Sequence, residues 1–170
     1  MAYDLMNRRD NETNHHSSVE GSLLAVNTYL DRGMSADKLN LGIAFYAKWF
    51  TTQAGVTCQG PTSCPTAILE AADGSDTGLS GAVTFEPANA AQFGPVLANG
   101  QVDEDAGGAW WWDASKNVYW TWDTPELVAR KFDEIVKAKG LGGVMAWSLG
   151  EDTYDWALLK AMQAGVKSLV

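Results

Sequence analysis

Asp4, Glu151, Asp152 and Asp155 are candidate catalytic carboxylates, each at or just beyond the end of an apolar segment. Acid–base chemistry needs a side chain whose proton sits within hydrogen-bond reach of the reacting group. In parallel α/β folds such groups gather at the C-terminal ends of strands. Tyr3 stands beside Asp4, Tyr46 closes a second apolar run with Lys48 two residues on, and Trp147 lies near the end of a third. Aromatic faces set among hydrogen-bonding side chains suit carbohydrate, whose ring faces are apolar and whose edges carry hydroxyls. Cleavage of a glycosidic bond ordinarily uses two flanking carboxylates. A competing reading makes the aromatics sheet core. It also puts Glu151-Asp152 at the start of the last helix, where negative charge is favoured; for that pair the helix start is the preferred reading.

Other reactive types carry less. His15-His16 precedes Ser17-Ser18, but adjacent residues rarely aim at one another, and Ser17 is better used as a helix cap. Asp103-Glu104-Asp105 reads as a solvated turn. No G-x-G-x-x-G follows a strand, so a dinucleotide site lacks support. The two cysteines, in Cys58-Gln-Gly-Pro-Thr-Ser-Cys64, have no second Cys or His pair nearby for a metal. Their Gly/Pro loop is short enough to join the sulfurs, and a disulfide is preferred over two free thiols. A disulfide implies a secretory compartment. With no leader-like apolar core at Met1–Asp10, the expectation is that the true N-terminus is not in this chain.

Twelve Lys and Arg against 21 Asp and Glu leave a formal charge of −9. Phosphate backbones are held by basic clusters, so nucleic acid and anionic membrane surfaces are poor partners. With 46% hydrophobic residues the chain is not of disordered composition. No apolar run reaches the roughly 20 residues of a membrane helix. Of eight tryptophans, five lie between Trp110 and Trp122, a cluster that is either core or a stacking floor.

The elements that must position these side chains follow from periodicity. Residues 1–5 read as a short strand. Ser17 to Glu20 is a capping box for a helix with Val19, Leu23, Val26 and Leu30 on one face. Residues 39–46 alternate as a strand. From Thr51 to about Ala109 the regular pattern gives way, with one short helix at 87–98 and a hairpin of 109–113 with 118–121. Thr124-Pro125 starts the next helix, Gly142–Leu149 is a strand, and Asp155 caps a last helix. Strand–helix alternation implies parallel strands.

Several of these segments resemble those of one enzyme family. MAYD at Met1–Asp4 resembles the M-x-Y-D motif on the sixth barrel strand of family 18 glycoside hydrolases, the chitinases. LNLGIAFYAKWF at 39–50 is similar to the seventh strand and KGLGGVMAWSLGED at 139–152 to the eighth. YDLMNRRDN and WTWDTPE look like secreted fungal chitinases related to killer-toxin α subunits. The resemblance implies an α/β fold: strands six to eight, the C-terminal portion, of a (β/α)₈ TIM barrel. Residues 1–50 and 116–170 would be the partial barrel, and 51–115 a small α+β insertion domain.

The resemblance also implies a reaction: retaining cleavage of β-1,4 bonds between N-acetylglucosamine units, assisted by the substrate's own acetamido group. Tyr3 would orient that group and Asp4 would bind at the bond being cut. Met1 and Tyr46 would line the cleft, and Trp147 would stack beneath the sugar. At Lys48 many relatives carry Arg, whose two-pronged donor fork Lys lacks. No metal and no cofactor is implied; the expected partners are chitin or N-acetylglucosamine oligomers, and the parent protein would be secreted. The family's D-x-x-D-x-D-x-E, whose Glu is the acid, has no counterpart in this sequence. The expectation is therefore a fragment, inactive by itself, with a chitinase-like lectin as the alternative. The inward faces of Leu41, Ile43, Val144 and Ala146 would look across the barrel, and the chain would self-associate through open sheet edges.

Overall fold

A computed structural model describes residues 1–169. Residues 1–5 enter no strand ladder, contrary to expectation, and Asp4 takes a φ of 57°. A left-handed residue turns the chain out of an extended path. Leu5 N instead donates to His16 O at 3.0 Å. Gly42 lets this first segment lie close by: a Cβ there would stand 3.0 Å from both Met1 Cα and Tyr3 Cε1.

Helix α1 is Val19–Asp31, and Ser18, rather than Ser17, caps it by accepting from Gly21 N at 3.1 Å. The apolar run at 39–46 then divides. Strand β1 is Asn40–Ala44 and β2 is Tyr46–Thr51. After β3 (Ser80–Thr84) come α2 (Ala90–Asn99), β4 (Gln101–Asp103), β5 (Gly108–Asp113) and β6 (Val118–Trp122). The last two form the expected hairpin. Helix α3 (Pro125–Lys131) starts where Thr124 accepts from Leu127 N at 3.3 Å, and it continues as a wider turn through Phe132–Lys137. Strand β7 (Gly143–Trp147) and helix α4 (Ala157–Lys167) complete the chain.

Two sheets result. β1 pairs in parallel with β7, Gly42 opposite Met145 and Ala44 opposite Trp147. The other sheet is antiparallel, in the order β3-β2-β6-β5-β4. It draws β2 and β6 from either side of residues 52–117. The architecture is mixed α/β.

Helices α1, α3 and α4 cover one face of the β1–β7 pair. Leu41 and Ile43 are buried there with Val26, Val128, Phe132, Ile135 and Leu158. Val144 and Ala146 pack on the same core. These four therefore face the helices and keep their partners, which corrects the expectation that they look across a barrel. Side chains alternate along a strand, so the other face carries Met145 and Trp147, both exposed. A second core lies under the antiparallel sheet, where Trp120 and Trp122 meet Phe93; Trp122 stands edge-on to Phe93 at 5.7 Å. These two tryptophans are core rather than stacking floor.

Candidate active-site cleft

A cleft of about 630 Å³ opens beside the ends of β1 and β7. Asp4, Tyr46, Lys48, Trp147 and Glu151 line it, together with Asn7, Arg8, Arg9 and Asp76. The break after β1 explains how Tyr46 and Lys48 reach it. Tyr46 begins a strand of the other sheet, so it stands at the seam between the two.

Asp4 is held from two directions. Tyr46 donates its hydroxyl to Asp4 Oδ1 at 2.9 Å, and Lys48 Nζ lies 3.0 Å from the same oxygen. Lys48 also donates to Met6 O at 3.3 Å, so its ammonium ties the first segment to β2. Burial, and then the Asp4 charge, push the Tyr46 phenol well up, so it stays a donor. Tyr3 is pushed up by burial and by the Asp4 and Glu151 charges. Its ring stands edge-on to Tyr46 at 6.0 Å, and its hydroxyl is 3.9 Å from Met145 Sδ. Tyr3 is only 9% exposed and, like Met1, is not among the cleft-lining residues described. Trp147 is 53% exposed and does line it.

The other carboxylates separate by role. Asp152 is buried and accepts from Thr153 N, Leu158 N and Leu159 N at 2.7, 3.3 and 2.9 Å, so it serves the start of α4. Asp155, expected to do so, accepts from the Thr153 hydroxyl instead. Glu151 reaches back to Ser148 N at 2.8 Å in a reciprocal cap, while lining the cleft. Asp4 and Glu151 are the two of the four that face the opening.

The wall formed by Asn7, Arg8 and Arg9 was not foreseen. Arg8 Nε lies 2.5 Å from Glu70 Oε2 and its Nη1 3.6 Å from Asp76. The Arg8 hydrogen bond holds the Glu70 carboxyl below its ordinary range. Two arginines beside the first aromatic–carboxylate motif were the available sequence signal. The segment behind them is fastened to the Cys58–Cys64 loop, where the two cysteines are disulfide-bonded. There Thr13 N donates to Cys64 O at 2.8 Å and Ser63 N to Thr13 O at 3.0 Å.

His15 and His16 form no base–nucleophile pair with the serines. His15 Nε2 lies 3.1 Å from Asp103 Oδ2. Both ring nitrogens of His16 and the Ser17 hydroxyl are buried without a hydrogen-bond partner. Asp103 is thus more than a solvated turn residue, since it also accepts from Asp105 N and Ala106 N at 3.2 Å. Among the described residues no cluster of three metal-ligating side chains is present, and no helix is long and apolar enough to cross a membrane.

A parallel β/α core, an antiparallel sheet set beside it and a cleft at the strand ends together make part of an α/β barrel. Solved structures with this arrangement include chitinases. The Rhizomucor miehei chitinase superposes with a TM-score of 0.82 at 24% identity, over 98% of this chain and 52% of its own. The Cycas revoluta chitinase, crystallised with (GlcNAc)3, gives 0.71 at 24% identity over 98% and 45%. Chitinase 63 of Streptomyces plicatus is 30% identical over 146 residues, 84% of this chain and 20% of the relative. The model of glycosyl hydrolases family 18 matches residues 1–152. The chain belongs to that family. It spans about a fifth of the curated relative and about half of the solved ones.

Proposed function

We propose that the cleft binds runs of N-acetylglucosamine and forms part of the site at which a chitinase cleaves β-1,4 linkages with retention. The meeting of Tyr46 and Lys48 on one oxygen of Asp4, beside the open indole of Trp147, carries this reading. Trp147 offers a flat apolar face to a sugar ring, and Asp4 offers its free oxygen to a hydroxyl or amide N–H. Tyr3 sits behind them, with its hydroxyl directed to the open face that holds Met145 and Trp147. That is where a substrate acetamido group must be oriented for attack on the anomeric carbon.

Within the 170 residues the acid that protonates the leaving oxygen has no evident bearer, because Glu151 is engaged by Ser148 N. The isolated chain is therefore proposed to bind without turnover; general acid catalysis typically supplies about 10²–10⁴-fold. Residues 1–50 and 116–170 are read as the barrel portion and 51–115 as the insertion, with β2 and β6 at the seam. The Cys58–Cys64 bridge supports a secreted parent. Calorimetric titration with N-acetylglucosamine tetramer, beside a fluorogenic assay on the same preparation, tests the proposal. Saturable heat without fluorophore release supports it. No binding overturns the cleft assignment, and release at chitinase-like rates overturns the placing of the acid.

A further inference from the structure

The segment that fastens the cleft wall to the disulfide loop carries a motif that the cleft does not use. Asn11-Glu12-Thr13 is an N-x-T triplet, with no proline at its centre. Asn11 and Glu12 are exposed, while Thr13 is buried. The backbone there lies antiparallel to the end of the disulfide loop, with Glu12 bridged to Pro65 and Asn11 O accepting from Thr66 N at 2.9 Å. Asn11 is thus presented outward from a fixed loop, on the chain that continues from Arg8 and Arg9 of the wall.

We infer that Asn11 is an acceptor for an asparagine-linked oligosaccharide. The donor class is a lipid-pyrophosphate-linked oligosaccharide. A bond forms between Asn11 Nδ2 and the anomeric carbon of the first sugar. The bond from that carbon to the pyrophosphate oxygen breaks, the lipid pyrophosphate leaves, and one amide proton passes to base. The compartment fits: the triplet is an acceptor in secreted proteins, and the Cys58–Cys64 bridge needs an oxidising environment.

The structure also sets the order of events. The transferase reads the hydroxyl of the third residue, but Thr13 Oγ1 is occupied once the loop has docked, accepting from Cys64 N at 3.1 Å. Thr13 N and O are taken by Cys64 O and Ser63 N in the same docking. Transfer must therefore precede docking of the disulfide loop. Asn11 is exposed and is not one of the residues that line the cleft.

Translation of the full 170-residue chain behind a cleavable leader into eukaryotic microsomes tests this, read on the protease-protected chain so that later secretion is irrelevant. The expected result is one glycan. It should be removed by peptide-N-glycosidase with conversion of Asn11 to Asp, absent in Asn11→Gln, and retained in Thr13→Ser. A protected chain of unmodified mass, identical with Asn11→Gln, overturns the assignment. The timing has its own readout. Keeping the loop open with Cys58→Ser and Cys64→Ser together should raise occupancy or leave it complete, and a fall in occupancy overturns the order inferred. Neither readout depends on sugar binding in the cleft, so failure of one reading leaves the other standing.

Discussion

Tyr46 donates its hydroxyl to Asp4 Oδ1 over 2.9 Å, although 42 residues separate the two in sequence. Lys48 meets the same oxygen, which leaves the second carboxylate oxygen of Asp4 for substrate. Removing the phenol hydroxyl should let the carboxylate swing without emptying the cleft. Tyr46→Phe is expected to weaken oligomer binding by about 1 kcal/mol, the worth of one such hydrogen bond. Thermal stability should barely move, because the ring still packs against Tyr3 and His16. Titration calorimetry and a melting curve on the same preparation check both halves.

Trp147 gives a larger effect of the same kind. Its indole is open to the cleft and contributes little to the core. Trp147→Ala should cost about 1–3 kcal/mol of affinity for the tetramer, by analogy with aromatic–base stacking. Its unfolding midpoint in urea should match that of the parent. A large fall in stability with unchanged affinity would make Trp147 a packing residue and remove it from the floor.

In the interior, Lys131 and Asp123 form an ion pair at 2.5 Å with neither side chain exposed to solvent. Lys131 also donates to Ser17 O. Burial pushes the Asp123 carboxyl up, and the ammonium opposes this. Lys131→Met strands that carboxylate, and breaking a buried pair from one side costs about 3–5 kcal/mol. Adding Asp123→Asn should restore part of the loss. The deficit of the single variant should also shrink as pH falls, because a protonated carboxyl needs no counter-ion. Urea unfolding of the three proteins at two pH values measures it.

How far these features could be read in advance depended on whether they were local. Thr124-Pro125 and the 109–121 hairpin were legible because a cap and a turn are written within a few residues. The division of 39–46 was not: Phe45 at the break is as buried as its neighbours, and no Gly or Pro marks the step between sheets. Ser17 and Ser18 compete for one cap, and Gly21 N selects the second. The buried lysine had a signal, one cation three residues after Val128 on an otherwise apolar stripe, but its partner is fixed only by packing. In the cleft, Asp4, Tyr46 and Trp147 were named from motif and position. Arg8 and Arg9 meet Glu70 and Asp76 only through ion pairs across more than sixty residues, which no spacing encodes.

Acid should loosen the fold through its two histidines. Burial lowers the pKa of His15, with Asp103 partly opposing, and lowers that of His16 further, aided by Lys48 and Lys131. A histidine whose folded pKa lies below its unfolded value binds more protons unfolded. Stability therefore rises with pH between the two values and levels off above about 6.5, the unfolded value. The melting temperature should fall from about pH 7 to about pH 5, the range in which an unperturbed histidine gains its proton. His16→Phe, which keeps a ring against Tyr46, should flatten that slope. An equal slope in the variant would assign the acid response elsewhere.

The open side of the β1–β7 pair should draw copies of the chain together. Among the described residues neither strand has a second neighbour, so each presents an unpaired edge. Unpaired edges recruit other strands. Leu41, Ile43, Val144 and Ala146 are satisfied by the helices, so the exposed apolar side chains of this pair lie on the opposite face, at Met145 and Trp147, with Met1 close to Gly42. The combination favours association of two copies edge to edge rather than collapse of the core. Light scattering across a concentration series should give a mass above the 18.3 kDa of one chain. Met145→Lys places a charge on that face, where edge lysines oppose pairing, and should shift the mass toward one chain while leaving the helix-side core and its melting curve intact. A single-chain mass at every concentration, before any substitution, would mean that this face is already satisfied within one copy.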